Sequence, residues 1–175
     1  MPTLLLLRHA KSAWPPGVPD PLRPLNDRGR RDAPAAGRIL AEGDPIDLAL
    51  VSPAARTGQT YDLVVQQLPQ RPPTRTDDRI YEAGVGDLLE VLSETDDSVR
   101  RLLLVGHNSG VEMLAWHLCT PDGSGQYESM VRKYPTAGLA EIELPVPWRE
   151  LAAAVAWPTG SPIGRLVSFQ VCRGA

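Results

Sequence analysis

TLLLLRHAKS (residues 3–12) places four successive leucines directly before Arg8-His9. An apolar run this short and unbroken is the pattern of a strand buried on both faces of a sheet. The pattern returns once, in LLLVGHN (residues 102–108): four apolar residues, one more residue, then histidine. Two central strands are therefore expected to end in His9 and His107. In an open α/β sheet, ligands bind outside the carboxyl ends of the strands, so both imidazoles belong at one pocket. An arginine such as Arg8 at the end of a buried strand is costly unless it meets an anion.

Outward from these two runs, strands and helices alternate. Residues 13–26, AWPPGVPDPLRPLN, form a Pro-rich loop, and residues 27–42 read as a helix in which Pro34 makes a kink or marks the start of the regular part, with Gly43 able to end it. Residues 47–51 are a second buried strand. The helix over 54–68 follows Ser52-Pro53, a cap and a first-turn proline. A weak strand is expected near 76–81 and a helix over 85–95, with Leu88, Leu89 and Leu92 on one side. After the strand at 101–105, a helix over 109–118 leads to a long loop, 120–136, of the kind that is either functional or mobile. Residues 137–144 and 164–172 alternate as strands, the second suited to a sheet edge. This order predicts an α/β fold: a single three-layer domain over residues 1–175, with a central, mostly parallel sheet flanked by helices.

Composition narrows the function. The 175 residues carry a net charge of −3, which argues against a general nucleic-acid binder or a basic membrane-surface protein. The basic stretch RGRRDA at 28–33 has no aromatic platform beside it and reads as the exposed first turns of a helix. The two cysteines, Cys119 and Cys172, form neither a disulfide framework nor a CxxC pair and read as buried free thiols. No apolar stretch approaches the ~18 residues of a membrane span, and the leucine run is too short for a signal peptide. A cytoplasmic location is the expectation.

A third strand end adds to the histidines. LALVSPAARTGQT (48–60) puts Arg56 early in the helix after the second strand. Arg8, His9, Arg56 and His107 then share one edge, with no carboxylate in the same motifs. Guanidinium forks match phosphate oxygens, and helix N-termini add backbone donors. Arginines alone suffice for binding, whereas the histidines suggest phosphoryl transfer, in which a neutral imidazole attacks phosphorus and water later releases the phosphoryl group.

With these motifs in order, the sequence resembles the histidine phosphatase superfamily, with its phosphoglycerate mutase-like fold. The resemblance rests on RHAKS at 8–12, PLNDRGRRDA at 24–33, LVSPAARTGQT at 50–60, IYEAG at 80–84, LLVGHNSG at 103–110 and RKYPTAGLA at 132–140. Small size without a large cap insertion resembles the SixA-type phosphohistidine phosphatases. The resemblance implies that His9 is the nucleophile, that Arg8 and Arg56 clamp the phosphoryl oxygens, and that His107 donates to a phosphoryl oxygen and stays charged. It makes Ser12 a further phosphate contact and Glu82 the candidate general acid. Lys11 and Asn108 are further substrate-binding candidates, Asn108 also as a helix cap. His117, without such context, reads as structural.

The resemblance implies no metal and no cofactor. The expected partner is a phosphorylated protein, with phosphohistidine the favoured substrate, or a small phosphorylated metabolite. Neither nucleic acid nor membrane is an expected partner, and oligomeric state is not legible. Two other classes compete. A binding module would hold phosphate without turnover. A His-ligated metal site is disfavoured because two flanking arginines repel a divalent cation and no carboxylate shares the motifs.

Overall fold

The leucine run forms strand β1 (Thr3–Arg8), whose interior residues are fully buried in the computed structural model, which covers residues 1–175. Strands β2 (Leu48–Val51), β3 (Thr74–Thr76) and β4 (Arg101–Gly106) lie parallel to it; on the other side β5 (Gly138–Glu143) runs antiparallel to β1 and β6 (Arg165–Val171) antiparallel to β5, giving the order β3-β2-β4-β1-β5-β6. Helices α1 (Asp27–Ala41) and α2 (Ala55–Val65) cover one face, and α3 (Val85–Ser93), α4 (Gly110–Leu118), α5 (Gln126–Arg132) and α6 (Leu151–Val155) supply the other.

The run of leucines is unbroken because both faces of β1 are covered. Successive side chains point to opposite faces of a strand. Leu4 and Leu6 therefore join Leu102, Leu104 and Leu50 under α3 and α4, while Leu5 and Leu7 join Leu103, Val105 and Ala49 under α1 and α2. Each leucine so buried contributes roughly 1.5–3 kcal/mol. Cys119 lies in the first layer and Cys172 in the second. Both are free and buried, and burial pushes their thiols up, to about 12 and about 11.

Three expectations are corrected. The weak strand near 76–81 is the short β3 at Thr74–Thr76, and Asp78–Ile80 is a 3₁₀ turn, because the Asp77 side chain accepts from the Arg79 backbone N–H and draws the chain out of the ladder. The loop 120–136 contains α5, which buries Met130 completely. Helix α6 was not expected; five residues are too few for a clear periodic signal, yet Leu151 and Val155 share one buried face. Pro34 lies inside a helix that already begins at Asp27, capped by Asn26, whose side chain accepts from Gly29 N–H at 2.9 Å. Gly29 itself is required by close approach, since a Cβ there would sit 2.1 Å from the Lys11 carbonyl oxygen.

Candidate active site

Strand register brings the two histidines together. Arg8 pairs with Gly106, so His9 and His107 emerge side by side, with His9 N–H bonded to the Gly106 carbonyl at 3.0 Å. Their ring centroids are 5.2 Å apart. Val51 pairs with Val105, so Ser52 leaves β2 next to them, and its Oγ lies 2.7 Å from His107 Nε2. Three adjacent strand ends thus build the floor of the site.

The polar side chains of the SPAARTGQT motif tie the floor to its surroundings. Thr57 Oγ1 donates to the carbonyls of Ser52 and Ala54 at 2.8 Å. Thr60 Oγ1 accepts from Ala10 N–H at 3.0 Å and donates to the Arg56 carbonyl, tying α2 to the turn after His9. Gln59 Oε1 accepts from Leu25 N–H and anchors the Pro-rich loop. Ser52 is not the cap of α2; that position falls to Ala54, without a side-chain bond, and the Ser52 hydroxyl is spent on His107.

Two arginines flank the histidines. Arg8 Nη1 donates to the Tyr134 carbonyl at 3.0 Å, and Asn108 Nδ2 donates to the same oxygen at 2.8 Å. Asn108 is therefore not the helix cap expected for it: Ser109 occupies that position, and Asn108 shares the anchor of Arg8. The end of the 120–136 segment thus reaches under the site through Tyr134, whose hydroxyl is bonded to the Leu6 carbonyl. Arg56 is buried and donates from Nη1 to the Asp20 carbonyl at 2.8 Å and from Nη2 to Asp20 Oδ2 at 3.1 Å.

Asp20 had no motif to announce it. It sits in the Pro-rich loop, pairs with Arg56 and Arg23, and accepts from the Tyr81 hydroxyl. Tyr81 in turn stands edge-on to His107, with centroids 5.6 Å apart. Arg23 is buried, bonded to Ser12 Oγ at 3.0 Å and to the Ala13 carbonyl, and stacked 3.4 Å from the ring centroid of exposed Trp14. Asp20, Arg23, Tyr81 and Ser52 are the site residues that the sequence reading missed. A lone acid between prolines and a serine taken for a cap carry no spacing that marks them.

Of the expected residues, Arg8, His9, Arg56 and His107 converge. Ser12 is buried behind them, held by Arg23. Lys11 is exposed and makes no side-chain hydrogen bond or ion pair. Glu82 is exposed, with left-handed backbone (φ 54°) and no bonded partner, next to Tyr81 at the rim. His117 lies elsewhere, edge-on to Trp157.

The electrostatics follow from burial. His9 is held down to about 3, first by burial and then by the charges of His107, Arg56 and Arg8, against the opposing bond to the Ala10 carbonyl. His107 is held at about 4 by burial and by Arg56. The charge expected on His107 is opposed here by burial and by the neighbouring Arg56 guanidinium. Asp20 is held at about 2 by the Tyr81 hydroxyl, Arg23 and Arg56.

Chemically, this is an imidazole with a free lone pair beside side-chain nitrogens that have no partner. His9 Nδ1 lies 2.7 Å from the Ala10 carbonyl, which can only accept, so Nδ1 carries the proton and Nε2 keeps its lone pair. Arg8 Nε, Arg56 Nε and His107 Nδ1 are buried without a hydrogen-bond partner. Such groups are rare in folded proteins unless function uses them. No group of three or more His, Cys, Asp or Glu side chains is placed to hold a metal ion. No helix is long and apolar enough to cross a membrane. A cavity of about 380 Å³ opens at the opposite ends of β2 and β3, near Leu40, Ile46, Leu68 and Pro73, away from these residues.

Known proteins resemble this chain to different extents. The pattern of the histidine phosphatase superfamily (branch 1) matches residues 4–102. An uncharacterized protein of Mycobacterium tuberculosis (strain ATCC 25618 / H37Rv) is 34% identical over 162 residues, covering 91% of this chain and 100% of the relative. A 2,3-bisphosphoglycerate-dependent phosphoglycerate mutase of Nitrobacter winogradskyi is 38% identical over 92 residues, covering 49% of this chain and 44% of the mutase. Among solved structures, a candidate phosphohistidine phosphatase SixA from Nakamurella multipartitia superposes with a TM-score of 0.82 at 27% identity, covering 98% of this chain and 96% of that one.

Proposed function

The chain belongs to the histidine phosphatase superfamily, branch 1, and from that premise we propose that it hydrolyses a phosphoryl group through a phosphohistidine formed on His9. The observation that carries this reading is the free Nε2 lone pair of His9 amid the unpartnered donors of Arg8, Arg56 and His107. Nε2 attacks phosphorus, and the bond to the leaving group breaks with its electron pair. Water then attacks the phosphoryl-His9, the P–N bond breaks, and inorganic phosphate leaves with His9 restored. The arginines hold charge on the equatorial oxygens, and burial keeps His9 neutral and nucleophilic far below neutral pH. No step here calls on a metal or cofactor.

A leaving oxygen needs a proton, whereas a leaving imidazole needs one less. Glu82, exposed and unpaired at the rim, is the proton donor in this reading. Asp20 is instead the counter-ion of Arg56 and Arg23, since it is held ionised at about 2. Asn108 fixes Arg8 through the shared Tyr134 carbonyl, Ser12 fixes Arg23, and Lys11 adds positive potential at the mouth.

The preferred substrate is phosphohistidine on a protein. The likeness to the Nakamurella protein over nearly the full length of both chains supports it, as does the absence of a large insertion over the site. The second reading is a small phosphate ester, supported by the partial likeness to the mutase. Both are tested by assaying wild type and His9→Ala on an aryl phosphate and on a phosphohistidine-bearing protein. Turnover of the protein substrate at higher kcat/KM supports the first reading, and the reverse supports the second. Phosphate binding without turnover of either would make the chain a binding module.

A further inference from the structure

We infer that Ser52 is a positioning residue that holds His107 as its Nδ1–H tautomer, so that a neutral imidazole presents a hydrogen-bond donor to the phosphoryl group. The inference rests on the reading of this pocket as a phosphoryl site and goes beyond it, because it assigns the proton on His107 and the residue that sets it.

Hydrogen-bond satisfaction around the Ser52 hydroxyl sets the tautomer. Ser52 is 1% exposed, and its Oγ has two partners, His107 Nε2 at 2.7 Å and Ala54 N–H at 3.4 Å. Ala54 N–H can only donate, so Ser52 Oγ accepts there. A serine hydroxyl has one proton to give, and His107 Nε2 is the acceptor within reach. If Nε2 carried the proton instead, the Ser52 proton would be buried without an acceptor, which is unfavourable. With Nε2 accepting, a neutral His107 must carry its proton on Nδ1, the atom that is buried without a protein partner.

The geometry is built to be rigid. Ser52 N–H is bonded to the Val105 carbonyl at 3.1 Å, and the Ser52 carbonyl accepts from Thr57 Oγ1 at 2.8 Å. These bonds fix the Ser52 backbone, and with it the Cβ that carries the hydroxyl, beside the ring. Burial and Arg56 keep His107 uncharged near neutral pH, so the tautomer rather than the charge decides whether Nδ1 donates. Donation by a neutral ring avoids placing a third cation between Arg8 and Arg56.

The test is nitrogen NMR on the full chain labelled with ¹⁵N-histidine, with inorganic phosphate as the probe ligand. Wild type is expected to show His107 protonated at Nδ1 and not at Nε2. Ser52→Ala is expected to shift the ring toward Nε2–H and to weaken phosphate binding about tenfold, the loss of one hydrogen bond to an anion. Ser52→Thr keeps the hydroxyl and is expected to restore both. A wild-type ring protonated at Nε2, or a Ser52→Ala protein with unchanged tautomer and affinity, overturns the inference. Should Ser52→Ala fail to fold, the wild-type and Ser52→Thr spectra still decide it. If wild type shows the Nδ1–H tautomer but binds no phosphate, the phosphoryl-site reading fails and the role assigned to Nδ1–H fails with it, while the Ser52–His107 pairing stands.

Discussion

His9 and His107 stand with ring centroids 5.2 Å apart at the ends of β1 and β4, and both are held uncharged, near 3 and near 4, mainly by burial. Two imidazoles at this distance, between Arg8 and Arg56, make a pocket that tolerates a phosphoryl anion better than another proton. The same relationship makes the fold sensitive to acid.

The sign follows from linkage. In the unfolded chain each ring takes a proton near 6.5, but in the folded chain only near 3 and near 4. Between those values the unfolded state binds more protons, so stability is full above about 6.5 and falls as pH drops. At pH 5 each histidine costs about 2 kcal/mol. Urea midpoints at pH 7 and pH 5 should therefore differ clearly in wild type and less in His9→Ala. Equal wild-type midpoints would contradict the neutral, buried assignment.

If phosphoryl transfer runs through His9 as proposed, removing its ring should abolish most turnover. His9→Ala is expected to lose at least ~10³-fold in kcat, about 4 kcal/mol of barrier, with phosphate binding largely retained. Rapid quench of wild type with a labelled phosphoryl donor should trap an acid-labile, base-stable phosphoryl group on the protein. Its presence at full level in His9→Ala would place the nucleophile elsewhere.

Glu82→Gln separates the two leaving-group classes. The variant should hydrolyse an alkyl phosphate at least ~10²-fold more slowly, the usual scale of general acid catalysis, and a phosphohistidine substrate within about tenfold of wild type on the same argument. Equal losses on both substrates would remove Glu82 from the proton-donor role.

Asp20 and a bound phosphoryl group compete for Arg56. Asp20→Asn removes the internal anion but keeps a side chain of similar shape, so inorganic phosphate should bind more tightly, by about three- to tenfold (about 1 kcal/mol). Calorimetric titration at low salt would show it. Weaker phosphate binding in the variant would mean that Asp20 supports the anion site rather than occupying it.

Thr60 couples helix α2 to the turn after His9. Thr60→Val is nearly isosteric but leaves the Ala10 N–H buried without its acceptor, at an expected loss of about 1–3 kcal/mol of stability. Urea unfolding should register this, and kcat should fall while KM moves little. Thr60→Ser should recover most of both. A valine variant as stable as wild type would show that another acceptor takes the Ala10 N–H.

Much of this protein is legible in one dimension because its physics is local. An unbroken leucine run can only be satisfied by cover on both faces, so β1 and β4, their central place and the delivery of His9 and His107 to one edge follow from periodicity alone. Arg8 follows from its place at the end of the first apolar run, and Arg56 from its place early in the helix after the second strand. The shorter elements were not legible: α5 and α6 span 7 and 5 residues, too few for a periodic signal.

What tertiary structure alone decided is which polar groups face one another. Asp20 lies 36 residues from Arg56 and 61 from Tyr81, and Ser52 lies 55 from His107. No local pattern encodes such pairs, because they depend on strand order and on how the Pro-rich loop folds back over the sheet. Protonation was decided there too. A histidine in a sequence is a base near 6.5, and burial beside Arg8 and Arg56 lowers the proton affinity of His9 and His107. The strands and the chemical identity of the pocket were written in the order of residues; the charge state, the counter-ion and the tautomer arise from proximity in space, where low dielectric makes each unpaired proton costly.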